Sequence, residues 1–128
     1  MIKIAIIGGG NVATHLANAF SKTKEIALVQ MCARNIAQIE HLKHQVSITN
    51  SLDLLVDADI YIIAVSDDAI ANVSSKIDKK NSLVVHTSGS VAINTLKNNG
   101  RKGVFYLLQS FSKDKNVNFD EIPFFGVL

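Results

Sequence analysis

Seven short runs of apolar, largely β-branched residues recur along the chain, at positions 2–7, 26–31, 46–49, 60–65, 83–86, 104–108 and 123–127. Most are continuously apolar instead of alternating, the pattern of strands covered on both faces by helices in a parallel sheet. Amphipathic stretches separate them. Val12, Leu16 and Phe20 fall at helical spacing and predict a helix over 11–21, with Ala13 and Ala17 as small contacts toward the sheet. Ile36, Ile39 and Leu42 mark a second helix after Asn35, and Ile70, Val73 and Ile77 a third after Ser66, Asp67 and Asp68, which are good helix-capping residues. Ser51 can cap a short segment running to Leu55, and a further helix over 91–97 can end at Gly100 in a left-handed conformation. Strand and helix alternate throughout. The expectation is an α/β fold: a doubly wound, mainly parallel sheet in three layers.

At 128 residues the chain has the size of one domain, and 48% apolar with 19% charged residues excludes disorder. Its apolar runs are far shorter than a membrane span needs, and the three glycines that follow the first run leave no export signal. Cys32 has no second cysteine to pair with, which fits a reducing compartment, so the cytoplasm is expected. The net charge of +2 is spread over scattered lysines, without the basic stripe of a nucleic-acid binder. Neither a nucleic acid nor a membrane is expected as a partner. The last apolar run extends almost to the final residue with no polar tail, which reads as the front part of something longer.

A glycine triplet alone is weak evidence, because glycine punctuates many turns. Here Gly8-Gly9-Gly10-Asn11-Val12-Ala13 directly follows a buried-type strand and opens an amphipathic helix, the context in which G-x-G-x-x-G/A is a dinucleotide-binding fingerprint. Gly8 permits the tight turn, Gly10 lets the main chain approach a pyrophosphate, and Ala13 lets helix lie close on strand. The first helical turn contains no acid to complement the positive end of the helix dipole, which leaves that role to a bound anion. Residues 1–128 therefore read as a Rossmann dinucleotide-binding domain, with Gly8, Gly9, Gly10, Asn11 and Val12 at the cofactor.

The same fingerprint expects an acid at the end of the second strand to bind the ribose diol of NAD. The segment reads Cys32-Ala33-Arg34-Asn35 instead. Arg34 can pair with a 2′-phosphate, which makes NADP the expected cofactor, with Ala33 and Asn35 beside it; the alternative is a solvated arginine at a helix start. After the fourth and fifth strands, Val65, Ser66, His86 and Thr87 face the nicotinamide half. Ser66, Asp67 and Asp68 also suit a helix cap. His86 and Ser88 are the candidate catalytic groups, His86 as a general acid or base and Ser88 as a substrate or cofactor contact, against a capped turn with a satisfied histidine. No metal site is expected, since His41 and His44 share a face without a third ligand.

Residues 8–16, 58–70 and 86–90 together, with 103–106 and 109–113, resemble a bacterial family of Rossmann-like NADP oxidoreductases that join this domain to a C-terminal helical domain. More distantly, the chain is similar to the cofactor domains of pyrroline-carboxylate reductase, 6-phosphogluconate dehydrogenase and deazaflavin-dependent NADP reductase. It departs from the family at Leu107, where proline is usual before Leu-Gln. The resemblance implies an NADP(H)-dependent oxidoreductase acting on a small carbonyl, imine or hydroxy acid, and a homodimer formed through the helical domain, which is absent from this chain. A non-catalytic NADP sensor or interaction module is the alternative.

Overall fold

The computed structural model describes residues 1–105 and 125–127. Its strands are β1 (Ile2–Ile7), β2 (Ile26–Cys32), β3 (Ser47–Thr49), β4 (Ile60–Ile63), β5 (Leu83–His86), β6 (Arg101–Val104) and β7 (Phe125–Val127). They form one sheet in the order β3-β2-β1-β4-β5-β6-β7. All neighbouring pairs are parallel except β6 and β7, which are antiparallel. The chain starts at the centre, winds outward to β3, then crosses back to β4 on the other side of β1. This reversal is the topological switch point of a Rossmann sheet, where two neighbouring loops part and leave a crevice at the strand ends.

Alternation along the strands supplies two cores. Ile4 and Ile6 of β1, Ile62 and Val85 meet helix α1 (Asn11–Ser21) through Ala13, Leu16, Ala17 and Phe20. Ala5, Ile7, Tyr61, Ile63 and Val84 point the other way, toward Leu55, Leu96 and helix α2 (Ile70–Ser75). Both faces are covered, which is why the strands are apolar without interruption.

β2 changes phase partway along. Ile4 pairs with Leu28 but Ala5 pairs with Gln30, so Val29 is an extra residue. Leu28 and Gln30 would otherwise share a face. After the bulge Met31 joins the α1 core, while Cys32 joins the α2 core. Gln30 is buried on the α2 side and clasps the crossover between β3 and β4: Nε2 donates to the Leu54 carbonyl at 3.0 Å and Oε1 accepts from the Val56 N–H at 2.9 Å. Tyr61 adds a second clasp, its hydroxyl donating to the Val56 carbonyl and accepting from the Ala58 N–H. Burial pushes the Tyr61 phenol above its ordinary range.

Three local expectations are corrected. Residues 36–42 form two 3-10 turns, Ile36–Gln38 and Glu40–Leu42, instead of a helix. Ile36, Ile39 and Leu42 are each three residues apart, the 3-10 period, and the fully buried Ile39 sits at the junction. Of the helix expected over 91–97 there is one 3-10 turn, Ile93–Thr95, and Gly100 has no positive φ. Gly100 is small for a different reason: a Cβ there would stand 2.8 Å from the Lys80 carbonyl oxygen and 2.9 Å from that of Ser82. The sixth strand begins at Arg101 and not at Val104, its charged start lying at an exposed strand end. Residues 106–113, which carry the Leu107 departure and Gln109, fall outside the described residues, as do 123 and 124 of the expected last strand.

Candidate functional site

The crevice at the switch point is a cleft of about 1360 Å³ along the C-terminal ends of β1, β2, β3 and β4. Its floor is the glycine turn. Gly8 has φ +139, a conformation that side-chain-bearing residues rarely adopt, and a Cβ there would lie 2.2 Å from the Ala64 carbonyl oxygen. The turn is tied to both neighbouring strands: Gly8 N–H donates to the Cys32 carbonyl at 2.8 Å and Ala64 N–H to the Ile7 carbonyl at 2.7 Å. Gly10 is the N-cap residue of α1 and contributes no side-chain cap, and the first turn holds no acid. A Cβ on Gly10 would meet nothing within 4 Å. The uncapped N–H groups of the first turn therefore open onto space that a ligand can occupy.

One wall follows β2. Ala33 N–H donates to the Thr49 carbonyl at 3.1 Å, which holds the chain in line with β3 as it leaves the sheet. Arg34 and Asn35 follow, both exposed. Asn35 Oδ1 accepts from the Ala37 N–H at 3.2 Å and so starts the first 3-10 turn. The Arg34 guanidinium has no carboxylate within ion-pair distance among the described residues. Cys32, buried at the cleft, has its thiol pushed up by burial. A raised pKa keeps it protonated and unreactive at neutral pH.

The opposite wall is the β3–β4 crossover and the start of α2. Ser51 Oγ accepts from the Asp53 N–H at 3.2 Å and caps the 3-10 turn Leu52–Leu54, as its sequence position predicts. Asn50, Ser51, Leu52 and Asp53 come to the cleft on one side of this wall, and Asp68, Asn72, Val73 and Lys76 on the other. Ser66 occupies the N-cap position of the 3-10 turn Asp67–Ala69, but its side chain makes no cap hydrogen bond, which corrects the capping reading. Asp67 is engaged elsewhere, accepting from Ser90 Oγ at 2.9 Å.

At the end of β5 the chain turns away. Thr87 reaches the cleft rim. His86 is completely buried and does not line the cleft. Its Nδ1 accepts from the Ser88 N–H at 3.1 Å, which puts the ring proton on Nε2, an atom with no partner among the described residues. Ser88 Oγ accepts from the Ser90 N–H at 3.3 Å and lies 3.2 Å from Ser90 Oγ, so Asp67, Ser90 and Ser88 are linked in a chain that joins the β4 and β5 loops.

The structure thus brings Gly8, Gly9, Gly10, Asn11, Val12, Ala33, Arg34, Asn35, Val65, Ser66 and Thr87 to one cleft, and leaves His86 and Ser88 off its walls. Sequence reasoning missed Gln38, residues 50–53, Asn72 and Lys76. Asn72 and Lys76 carry a signal in hindsight, since they lie four apart, the spacing of one helix face. Among the described residues no helix is long and apolar enough to cross a membrane.

Residues 3–89 match the family model described as NADP oxidoreductase, coenzyme F420-dependent. No curated protein matches. Among solved structures, a Bacteroides fragilis protein described as a "putative NADP oxidoreductase" is 35% identical, with TM-score 0.80, over 96% of this chain and 50% of its own. A Desulfitobacterium hafniense protein described as a "putative" NADPH-dependent oxidoreductase is 21% identical, with TM-score 0.61, over 73% of this chain and 29% of its own. Biliverdin reductase from Synechocystis is 16% identical, with TM-score 0.58, over 70% and 30%. The last two show likeness of fold. The chain spans half the length of the first and less than a third of the others.

Proposed function

The chain belongs to the family described as NADP oxidoreductase, coenzyme F420-dependent, and from that premise we propose that its cleft holds NADP(H) for hydride exchange with a small carbonyl, imine or hydroxy acid. The observation that carries this reading is the contrast within the glycine turn. A side chain at Gly8 would strike Ala64, whereas one at Gly10 would enter open space, so Gly10 is small for the benefit of something outside the protein.

When bound, the nicotinamide supplies the hydride chemistry; the chain binds and orients it. Backbone N–H groups of Asn11 and Val12, at the positive end of α1, meet the pyrophosphate. Arg34 pairs with the 2′-phosphate, flanked by Ala33 and Asn35. Val65 and Ser66 face the nicotinamide ribose, and Thr87 closes the rim. Buried His86 holds the following loop through the Ser88 N–H, and the Ser88 hydroxyl, bonded to Ser90, is the group there for a substrate to meet. Coenzyme F420, in the family description, belongs in this reading to the substrate side, and no residue of the cleft is assigned to it. The remaining half of the longer, cytoplasmic protein is then a helical domain that supplies further substrate contacts and the homodimer interface.

The test is NADPH binding and oxidation by the full-length protein, with carbonyl, imine and F420 acceptors. Saturable binding with turnover of at least one acceptor is expected. Absence of NADPH binding would refute the reading. Tight binding without turnover, accompanied by a cofactor-dependent change of oligomeric state, would identify a sensor instead.

A further inference from the structure

Gly9 is small for a third reason, distinct from those of its two neighbours. A Cβ there would stand 2.6 Å from Gln38 Oε1, 2.8 Å from Gln38 Cβ and 3.2 Å from Ala33 Cβ. Gln38 therefore fills the space that a side chain at Gly9 would need. Its backbone is well held: Gln38 N–H donates to the Asn35 carbonyl at 3.1 Å, Asn35 caps the same turn, and the next residue, Ile39, is completely buried in the α1 core. The carboxamide makes no hydrogen bond with the described residues, yet it lines the cleft together with Arg34 and Asn35. With Oε1 turned to Gly9, Nε2 is the free donor. The result is a neutral donor set between the glycine turn and a guanidinium that has no carboxylate within ion-pair distance among the described residues.

We propose that Gln38 is a specificity-determining residue whose carboxamide nitrogen donates to the 2′-phosphate of the bound dinucleotide alongside Arg34. This rests on the NADP(H) reading of the cleft. A phosphate dianion can only accept hydrogen bonds, so an amide donor suits it and a carboxylate at the same place opposes it. The diol of NADH carries two hydroxyl protons, which a carboxylate welcomes.

The experiment is a pair of fluorescence titrations, with NADPH and with NADH, on the wild-type chain and the Gln38→Glu, Gln38→Met and Arg34→Ala variants, with a thermal midpoint for each to confirm folding. Gln38→Glu should weaken NADPH by about tenfold or more, the scale of a charge-assisted hydrogen bond replaced by repulsion, and leave NADH unchanged or tighter. Gln38→Met keeps the length without the donor and should weaken NADPH alone, by roughly three- to tenfold. Equal losses for both cofactors would reduce Gln38 to a prop for the glycine turn and overturn the proposal, as would no change for either. If the wild-type chain prefers NADPH and Arg34→Ala abolishes that preference while Gln38→Glu does not, this inference alone fails. A wild-type chain with no preference between the two cofactors defeats the NADP(H) reading, and the inference with it.

Discussion

The two sides of the cleft are made differently. The glycine turn and the end of β2 are shaped by main chain: a positive φ at Gly8, hydrogen bonds between strand ends, and an uncapped helix start. The crossover wall is irregular chain held in place by side chains from inside the sheet, Gln30 and Tyr61, each with one hydrogen bond to Val56. A main-chain site depends on which residues are absent, a clasped one on which are present. The first should fail abruptly on a small addition, the second by degrees as individual hydrogen bonds are removed.

The sharpest way to break this contrast is Gly8→Ala. A methyl group 2.2 Å from a carbonyl oxygen, on a residue at φ +139, should cost roughly 2–4 kcal/mol in a denaturant titration and abolish dinucleotide binding. A fully stable, binding-competent variant would show that the turn tolerates what its geometry forbids. Next, Arg34→Ala should weaken NADPH by about 1.5–3 kcal/mol with little effect on NADH. An equal loss for both in titration would remove the 2′-phosphate role. On the clasped wall, Tyr61→Phe strands the Val56 carbonyl and the Ala58 N–H and should cost about 1–2 kcal/mol of stability, with cofactor binding weakened only modestly. If binding collapses while stability holds, the crossover is as critical as the turn, and the contrast is lost.

The smallest effect is expected of Cys32. Burial raises its thiol in the folded chain, so below the ordinary thiol range both folded and unfolded states are protonated and the group makes no difference. As pH rises through about 8 to 10, the unfolded thiol loses its proton first and stability falls. Cys32→Ala should lack this component of the fall in the denaturation midpoint over that window. Identical pH profiles would mean that the thiol is not held away from water.

Much of the first half was legible because its signals are local. The apolar run 2–7, the glycine spacing and the 3.6-residue period of 11–21 each specify one conformation, and β1 and α1 occur where they were expected. The segment 36–42 was misread because a spacing of three satisfies a 3-10 turn as well as an α-helix, and a capping Asn35 serves both. Gln38 lies in that misread turn, where its side chain comes over Gly9. Residues 50–53 are harder to find from sequence, since the crossover that continues from them is held at Leu54 and Val56 by Gln30, more than 20 positions earlier. His86 stands out in the sequence as a titratable group at the end of an apolar strand. Its burial depends on neighbours that no local pattern names.

The extra residue at Val29 carries a consequence for how this domain tolerates changes of length. Removing that residue would restore strict alternation and keep every address: Leu28 and Gln30 would become chain neighbours on opposite faces, with Gln30 still opposite Ala5 at the crossover and Met31 still opposite Ile6 in the α1 core. The chain from Lys43 to Gln45 is exposed and lies between elements, so there too a residue lost or gained shifts nothing across the sheet. When relatives of this chain are aligned, a one-residue gap at 29 or inside 43–45 is therefore a change of cable length that leaves the wiring of the sheet as it is.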